Sequence, residues 1–244
     1  MSHLKGFGFK IVCLTIVLSG ILTACASGMI PAPTATEIPA SPTPAGLVIS
    51  VPNGSPPTLD GTMSADEWSD AKRELLFDGS ELLMKHHEGY LYLGIRANAP
   101  GMIVGNIFVN HGDRVSILHS SAALGTAIYE KSADGFQQTQ DFVWRCRSAS
   151  NSPSAQAERD AFLQQEGWVA DNSHMGTPQE LEYKIVMPNG TLRLVVTFTP
   201  ASDVSVRIYW PPGLANDSIE PPQGEFPTTM QFSPSRWATV TADT

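Results

Sequence analysis

Residues 181–198 read L-E-Y-K-I-V-M-P-N-G-T-L-R-L-V-V-T-F, and their phase decides the fold. Leu192, Leu194, Val196 and Phe198 alternate with Arg193, Val195 and Thr197. A period of two puts successive side chains on opposite faces, so this is a strand with one face on a core. Asn189-Gly190 suits a type I′ turn, which needs positive φ at both central residues. The expectation is a hairpin joining Leu181–Met187 to Thr191–Phe198.

Working outward, the same alternation recurs. Leu91, Leu93, Ile95 and Ala97 alternate with Tyr92, Gly94 and Arg96, and Val204, Val206, Ile208 and Trp210 with Ser205, Arg207 and Tyr209. Turn signals punctuate the strands at Asp78-Gly79, Glu88-Gly89 and His111-Gly112-Asp113. One helix is expected over Ser154–Gln165, with Ser152 as cap, Pro153 where a missing N–H costs nothing, and Gly167 beyond its end. Ala161 and Phe162 form its thin apolar stripe, which reads as a surface excursion. Ser64–Ala71 suggests a second short helical turn. The fold class is therefore all-β: an antiparallel β-sandwich of roughly eight to twelve strands with one or two short helices.

Residues 1–24 read as a leader. Lys5 and Lys10 precede the apolar run Ile11–Leu22, which is shorter than the about 20 residues a membrane span needs. Leu22-Thr23-Ala24-Cys25 resembles a bacterial lipobox, and that resemblance implies cleavage before Cys25 and its lipidation. Residues 25–46 are a Pro/Thr/Ser-rich tether, biased to extended geometry by repeated proline. Residues 47–244 are the folded domain. The chain is thus expected to be extracytoplasmic, held to a bacterial cell membrane by its lipid.

The whole chain has 244 residues with 15 basic and 24 acidic side chains, a formal charge of −9. Loss of Lys5 and Lys10 leaves 13 basic residues against 24 acidic, or −11. That balance argues against a nucleic-acid partner, which selects for a basic face. The three cysteines become one lipid anchor, one discarded Cys13 and one Cys146. Cys146 is expected in the core, on a strand face shared with Phe142 and Trp144.

Leu59-Asp60-Gly61-Thr62-Met63-Ser64-Ala65-Asp66-Glu67-Trp68-Ser69-Asp70-Ala71 resembles the opening of carbohydrate-binding module family 9-like domains, with its Asp-Gly turn, acidic-Trp pair and Ala. Gly79–Ala97 continues the likeness. The resemblance covers about a quarter of the chain and implies a β-sandwich, with a sugar or other small extracytoplasmic ligand bound without catalysis. It also implies that Ca²⁺ is a candidate ion near Asp60, Asp66 and Asp70. Read on its own residues, Trp68 plugs one end of the sandwich while Glu67 and Asp70 stay wet.

Sugar sites need aromatic faces beside polar groups. Trp168, in an expected exposed loop, joins Tyr209, Trp210 and Tyr92 as candidate platform residues. Arg145, Arg147 and Arg207, with Arg96 and Arg193, fall opposite the apolar phase of their strands. They form a candidate strip for carboxylate or sulfate groups. The competing reading pairs these arginines with Glu180 and Glu182. No G-x-S-x-G, H-E-x-x-H or Gly-rich phosphate loop occurs, so no enzyme is indicated. Two other functions stay open. One is an interaction domain with no small-molecule site. The other is a haem-carrying redox subunit, for which Met84, His86, Met102, His119 and Met175 are unordered axial donors.

Overall fold

The alternating segment Thr191–Pro200 becomes a ten-residue strand inside the larger of two sheets. The computed structural model describes residues 46–144, 152–172, 179–203, 205–214, 217 and 226–243. In chain order these hold β1 (Val48–Val51), β2 (Lys72–Leu75), β3 (Glu81–His87), β4 (Tyr90–Ala97), β5 (Ile103–Asn110), β6 (Arg114–Ser120) and β7 (Leu124–Ser132). There follow β8 (Gly135–Gln140), α1 (Pro153–Glu166), β9 (Trp168–Asn172), β10 (Gln179–Val186), β11 (Thr191–Pro200), β12 (Ile208–Trp210), β13 (Thr229–Met230) and β14 (Ala238–Ala242). The larger sheet runs β1-β14-β11-β5-β6-β7-β8-β13, with β12 also paired on β11. The smaller runs β2-β3-β4-β10-β9. Among these named strands only β1 and β14 pair in parallel. The protein is an all-β sandwich.

Alternation explains the layers. Leu91, Leu93 and Ile95 of β4 meet Leu192, Leu194 and Val196 of β11 in the core between the sheets. The opposite faces are also covered, which a simple half-wet strand pattern does not anticipate. Phe108, Ile117 and Tyr129 on the outer face of the larger sheet pack under Phe232 and Trp237. Leu83 and Tyr92 on the outer face of the smaller sheet pack under Met63 and Trp68.

The expected hairpin at Asn189-Gly190 does not form. Asn189 does take a left-handed backbone, but inside a single 3₁₀ turn, Pro188–Gly190, that carries the chain from one sheet to the other. Each flanking strand is held elsewhere: β10 lies between β4 and β9, and β11 between β5 and β14. The turns at Asp78-Gly79, Glu88-Gly89 and His111-Gly112-Asp113 do join paired neighbours.

Helix α1 starts and stops where expected. The Ser152 hydroxyl accepts from Ala155 N at 3.2 Å, and Gly167 N donates to the Leu163 carbonyl at 2.9 Å. Its buried face is Arg159 and Phe162, while Ala161 is exposed, so the helix is a packed cover over β9 rather than an excursion. Ser64–Ala71 makes turns only, with Trp68 N on the Ser64 carbonyl. The strand expected over residues 204–210 begins only at Ile208, and Val206 is exposed.

Candidate functional site

The β5–β6–β7 register sets three residues side by side on the outer face of the larger sheet: Asn106 opposite His119, and His119 opposite Gly125. Asn106 Oδ1 lies 2.7 Å from His119 Nδ1, so Nδ1 carries the proton and Nε2 is the ring's acceptor. Burial pushes this imidazole down to about 4, which keeps it neutral at pH 7. β8 ends at Gln140, and Asp141 turns the chain by accepting from Phe142 N at 2.7 Å.

That turn lays Phe142 and Trp144 across the sheet. Their rings stack at 5.4 Å with 13° between planes. Both meet the His119 ring edge-on, at 5.6 and 5.0 Å. Trp144 comes this low because Gly125 has no side chain: a Cβ there would stand 3.0 Å from Trp144 Cε3. Opposite, Tyr129 Oη donates to the Pro227 carbonyl at 2.8 Å and Gln138 N to the Thr228 carbonyl at 2.8 Å. These bonds bring Phe226 to 5.2 Å from Phe142. The result is a cleft of about 420 Å³ with aromatic walls, into which Gln138, Asp141 and Thr228 bring polar groups.

Trp144 is 53% exposed. The expectation that it alternates into the core with Phe142 and Cys146 fails, because residues 141–144 are not strand. Cys146, Arg145, Arg147 and Met175 lie outside the described residues, as does Cys25. The signal that marks the cleft in the sequence is Asp141, a strand-stopping residue directly before the aromatic pair.

The other expected platform residues lie elsewhere. Trp168 is not in an exposed loop. It opens β9, is 1% exposed, packs edge-on against Phe162 at 5.1 Å and donates to Thr126 Oγ1 at 2.9 Å. The reversal at Gly167 starts the strand immediately after the helix. Trp210 is buried at the end of β12. Tyr92 does point outward from β4, but the residue 58–71 segment covers it. Tyr209 is half-buried, 6.4 Å from the Phe77 ring. Trp168, Tyr209 and Trp210 therefore do not form one exposed platform.

The arginine strip does not assemble either. Arg96 is on the smaller sheet, where its Nε donates to Glu180 Oε1 at 2.7 Å, while Arg193 is on the larger sheet. Arg207 precedes β12 and is half-buried. The haem donors are likewise apart: Met84 and His86 belong to the smaller sheet and His119 to the larger.

The segment from Asp60 to Asp70 serves the fold. Asp60 N and Gly61 N donate to Glu182 Oε2 at 3.2 and 3.0 Å, and Trp68 Nε1 to Glu182 Oε1 at 3.0 Å. Trp68 lies over the outer face of β4 rather than at an end of the sandwich, where a Cβ on Gly94 would stand 3.1 Å from its ring. Lys85, fully buried, donates to the Glu67 carbonyl and to Asp70 Oδ1, the latter at 2.7 Å. Asp60 Oδ1 accepts from Thr62 N at 2.9 Å, and the Asp66 carbonyl from Ser69 Oγ at 3.0 Å. Asp60, Asp66 and Asp70 therefore do not converge, and among the described residues no group of three or more His, Cys, Asp or Glu is placed to hold a metal.

No protein-family model matches the chain, and no curated protein matches it. One solved structure is similar: a Bacteroides uniformis protein to which carbohydrate binding has been ascribed, 13% identical, with a TM-score of 0.44. The match covers 82% of this chain and 100% of that one, and it is too loose to transfer a function.

Proposed function

We propose that the domain binds a carbohydrate, without catalysis, in the cleft of Phe142, Trp144 and His119. The observation that carries this reading is the nearly parallel Phe142–Trp144 stack, in which Phe142 is half-buried and Trp144 exposed. Aromatic faces carry partial negative charge and receive the polarised C–H surface of a sugar ring. Sugar hydroxyls need acceptors and donors at the rim, and Asp141, Gln138, Thr228 and the neutral His119 ring are there. Apolar walls with a few convergent polar groups are the usual make-up of a small-ligand site. In the same reading Cys25 carries the lipid and residues 26–46 hold the domain off the membrane.

A glycan array, followed by affinity electrophoresis in soluble polysaccharides with calcium and with chelator, tests the reading. Retention by at least one glycan is expected, reduced at least ~tenfold in Trp144→Ala, as for a central aromatic anchor. An array at background under both conditions overturns it. Mass spectrometry of membrane-derived protein tests the anchor: an acylated N-terminal peptide beginning at Cys25 is expected.

A further inference from the structure

The inner face of the larger sheet departs from its own pattern at one end. Leu118 and Leu124 hold the core-facing phase where the smaller sheet covers them. Arg114, Ser116, Thr126 and Gln140 occupy the same phase further out. There a cavity of about 400 Å³ opens, closed on one side by Trp168 and the C-terminal end of α1. Its size falls in the range of about 300–1,000 Å³ usual for small-molecule sites.

The cavity's polar groups are incompletely used. Ser116 is 6% exposed and lines the cavity, and its hydroxyl is not among the buried atoms left without a partner, so it faces the open space there. Thr126 Oγ1 accepts from Trp168 Nε1 at 2.9 Å, so its own hydrogen remains to be donated. Gln140 is committed through Nε2 to the Thr126 carbonyl at 3.2 Å. Arg114 stands at the mouth and makes no ion pair among the described residues, although Glu130 faces it across the ladder and Glu166 of the helix also lines the cavity. Burial and the neighbouring Arg114 hold the His111 imidazole below its usual value, so it adds little charge at pH 7. Leu118, Ile128 and Ile185 make the remaining wall aliphatic.

We propose that this cavity binds a small hydroxy- or oxo-carboxylic acid with an aliphatic body, a site separate from the aromatic cleft. The carboxylate sits on the Arg114 guanidinium and the Ser116 hydroxyl, which share one face of β6 two residues apart. An oxygen further along the ligand accepts from Thr126, and the aliphatic body lies on Leu118, Ile128 and Ile185. Ser116 and Thr126 offer hydroxyl hydrogens to ligand oxygens, so a ligand that carries such oxygens gains affinity that a plain hydrocarbon does not.

Isothermal titration of the folded domain with 3-hydroxyhexanoate, and with its methyl ester as the uncharged control, tests this. Saturable binding is expected, at least ~tenfold tighter for the acid than for the ester, because the ester cannot form the charged pair. Arg114→Gln, at an exposed position where folding is checked by its thermal midpoint, is expected to weaken the acid at least ~tenfold and leave the ester unchanged. Trp144→Ala is expected to leave acid binding intact. The proposal is overturned by absence of saturable binding, by equal affinity for acid and ester, by an unaltered affinity in Arg114→Gln, or by loss of binding in Trp144→Ala.

Discussion

Trp144 owes its position to Gly125, a residue with no side chain. The Cε3–Cζ3 edge of the indole sits over that strand position because nothing rises from it. Gly125→Val is therefore a sharper test of the cleft than removal of the ring. Valine suits a strand, so the fold should persist. Its methyls would occupy the seat of Trp144 and also crowd Phe142. Glycan affinity is expected to fall as far as in Trp144→Ala, by ~tenfold or more, with an unchanged far-ultraviolet circular dichroism spectrum. Retained affinity would show that the Trp144 seat does not matter. This cleft was poorly legible in the sequence. Phe142 and Trp144 stand two apart, which is the spacing of a strand face, and only the three-dimensional pairing of His119 with Gly125 reveals why they lie on the sheet instead. Trp168 misled in the other direction. A residue just past a helix-stopping glycine reads as loop, yet an indole between a helix and two sheets is largely core.

At the scale of elements, α1 is fastened to β9 by a buried ion pair. Arg159 Nη1 lies 3.1 Å from Asp171 Oδ2, with both side chains 3% exposed. Burial pushes the Asp171 carboxyl up to about 6 even beside that guanidinium. Arg159→Met leaves the carboxylate buried without its partner and is expected to cost about 3–5 kcal/mol in urea unfolding. The double change Arg159→Met with Asp171→Leu should recover most of that loss, since replacing both charges by apolar groups is often near neutral. Ser152→Ala removes the cap and should cost about 1 kcal/mol. The helix ends were legible because caps are local chemistry. The partner of β11 was not. Asn189-Gly190 encodes left-handed dihedrals, and those are present at Asn189. Dihedrals do not specify which strand lies alongside, and β10 and β11 are each flanked by two other strands. The strands over residues 81–97, 103–119 and 191–198 were legible as strands, whereas residues 142–144 and 205–207 read as strand and are not; burial on both faces was hidden by the polar residues that sit beneath the covering segments, such as Lys85 and Glu182.

At the scale of the whole molecule, three apolar layers and several buried charges make stability depend on pH. Burial pushes Glu182 up to about 7 from 4.5, although three N–H donors reach it. Between those values the folded chain keeps a proton that the unfolded chain has released, so stability is lost as pH rises through the interval. Asp171 acts the same way, from 3.8 to about 6. His119 acts oppositely: pushed down to about 4 from 6.5, it adds stability as pH rises across that range. Above about pH 6 the losses from Glu182 and Asp171 together exceed the gain from His119, which fades as its unfolded imidazole loses its proton. The thermal midpoint is therefore expected to fall between about pH 6 and 7.5, by the equivalent of about 1 kcal/mol. Glu182→Gln, although less stable throughout because an amide offers Asp60, Gly61 and Trp68 one acceptor fewer, should flatten that decline. Scanning fluorimetry across the range checks it, and a midpoint that rises or stays level would contradict the assignment.

The parallel pairing of β1 with β14 has a consequence in time. Among the described strands Val48–Val51 is the first to be synthesised, and its ladder partner, Ala238–Ala242, is the last. Until Ala238–Ala242 has emerged from the ribosome, β1 lacks this ladder partner, and closing so long a loop comes at an entropic cost that contacts made after β14 is in place must offset. A chain cut before Ala238 loses more than one strand: it strips β1 of its partner and bares the flank of β11.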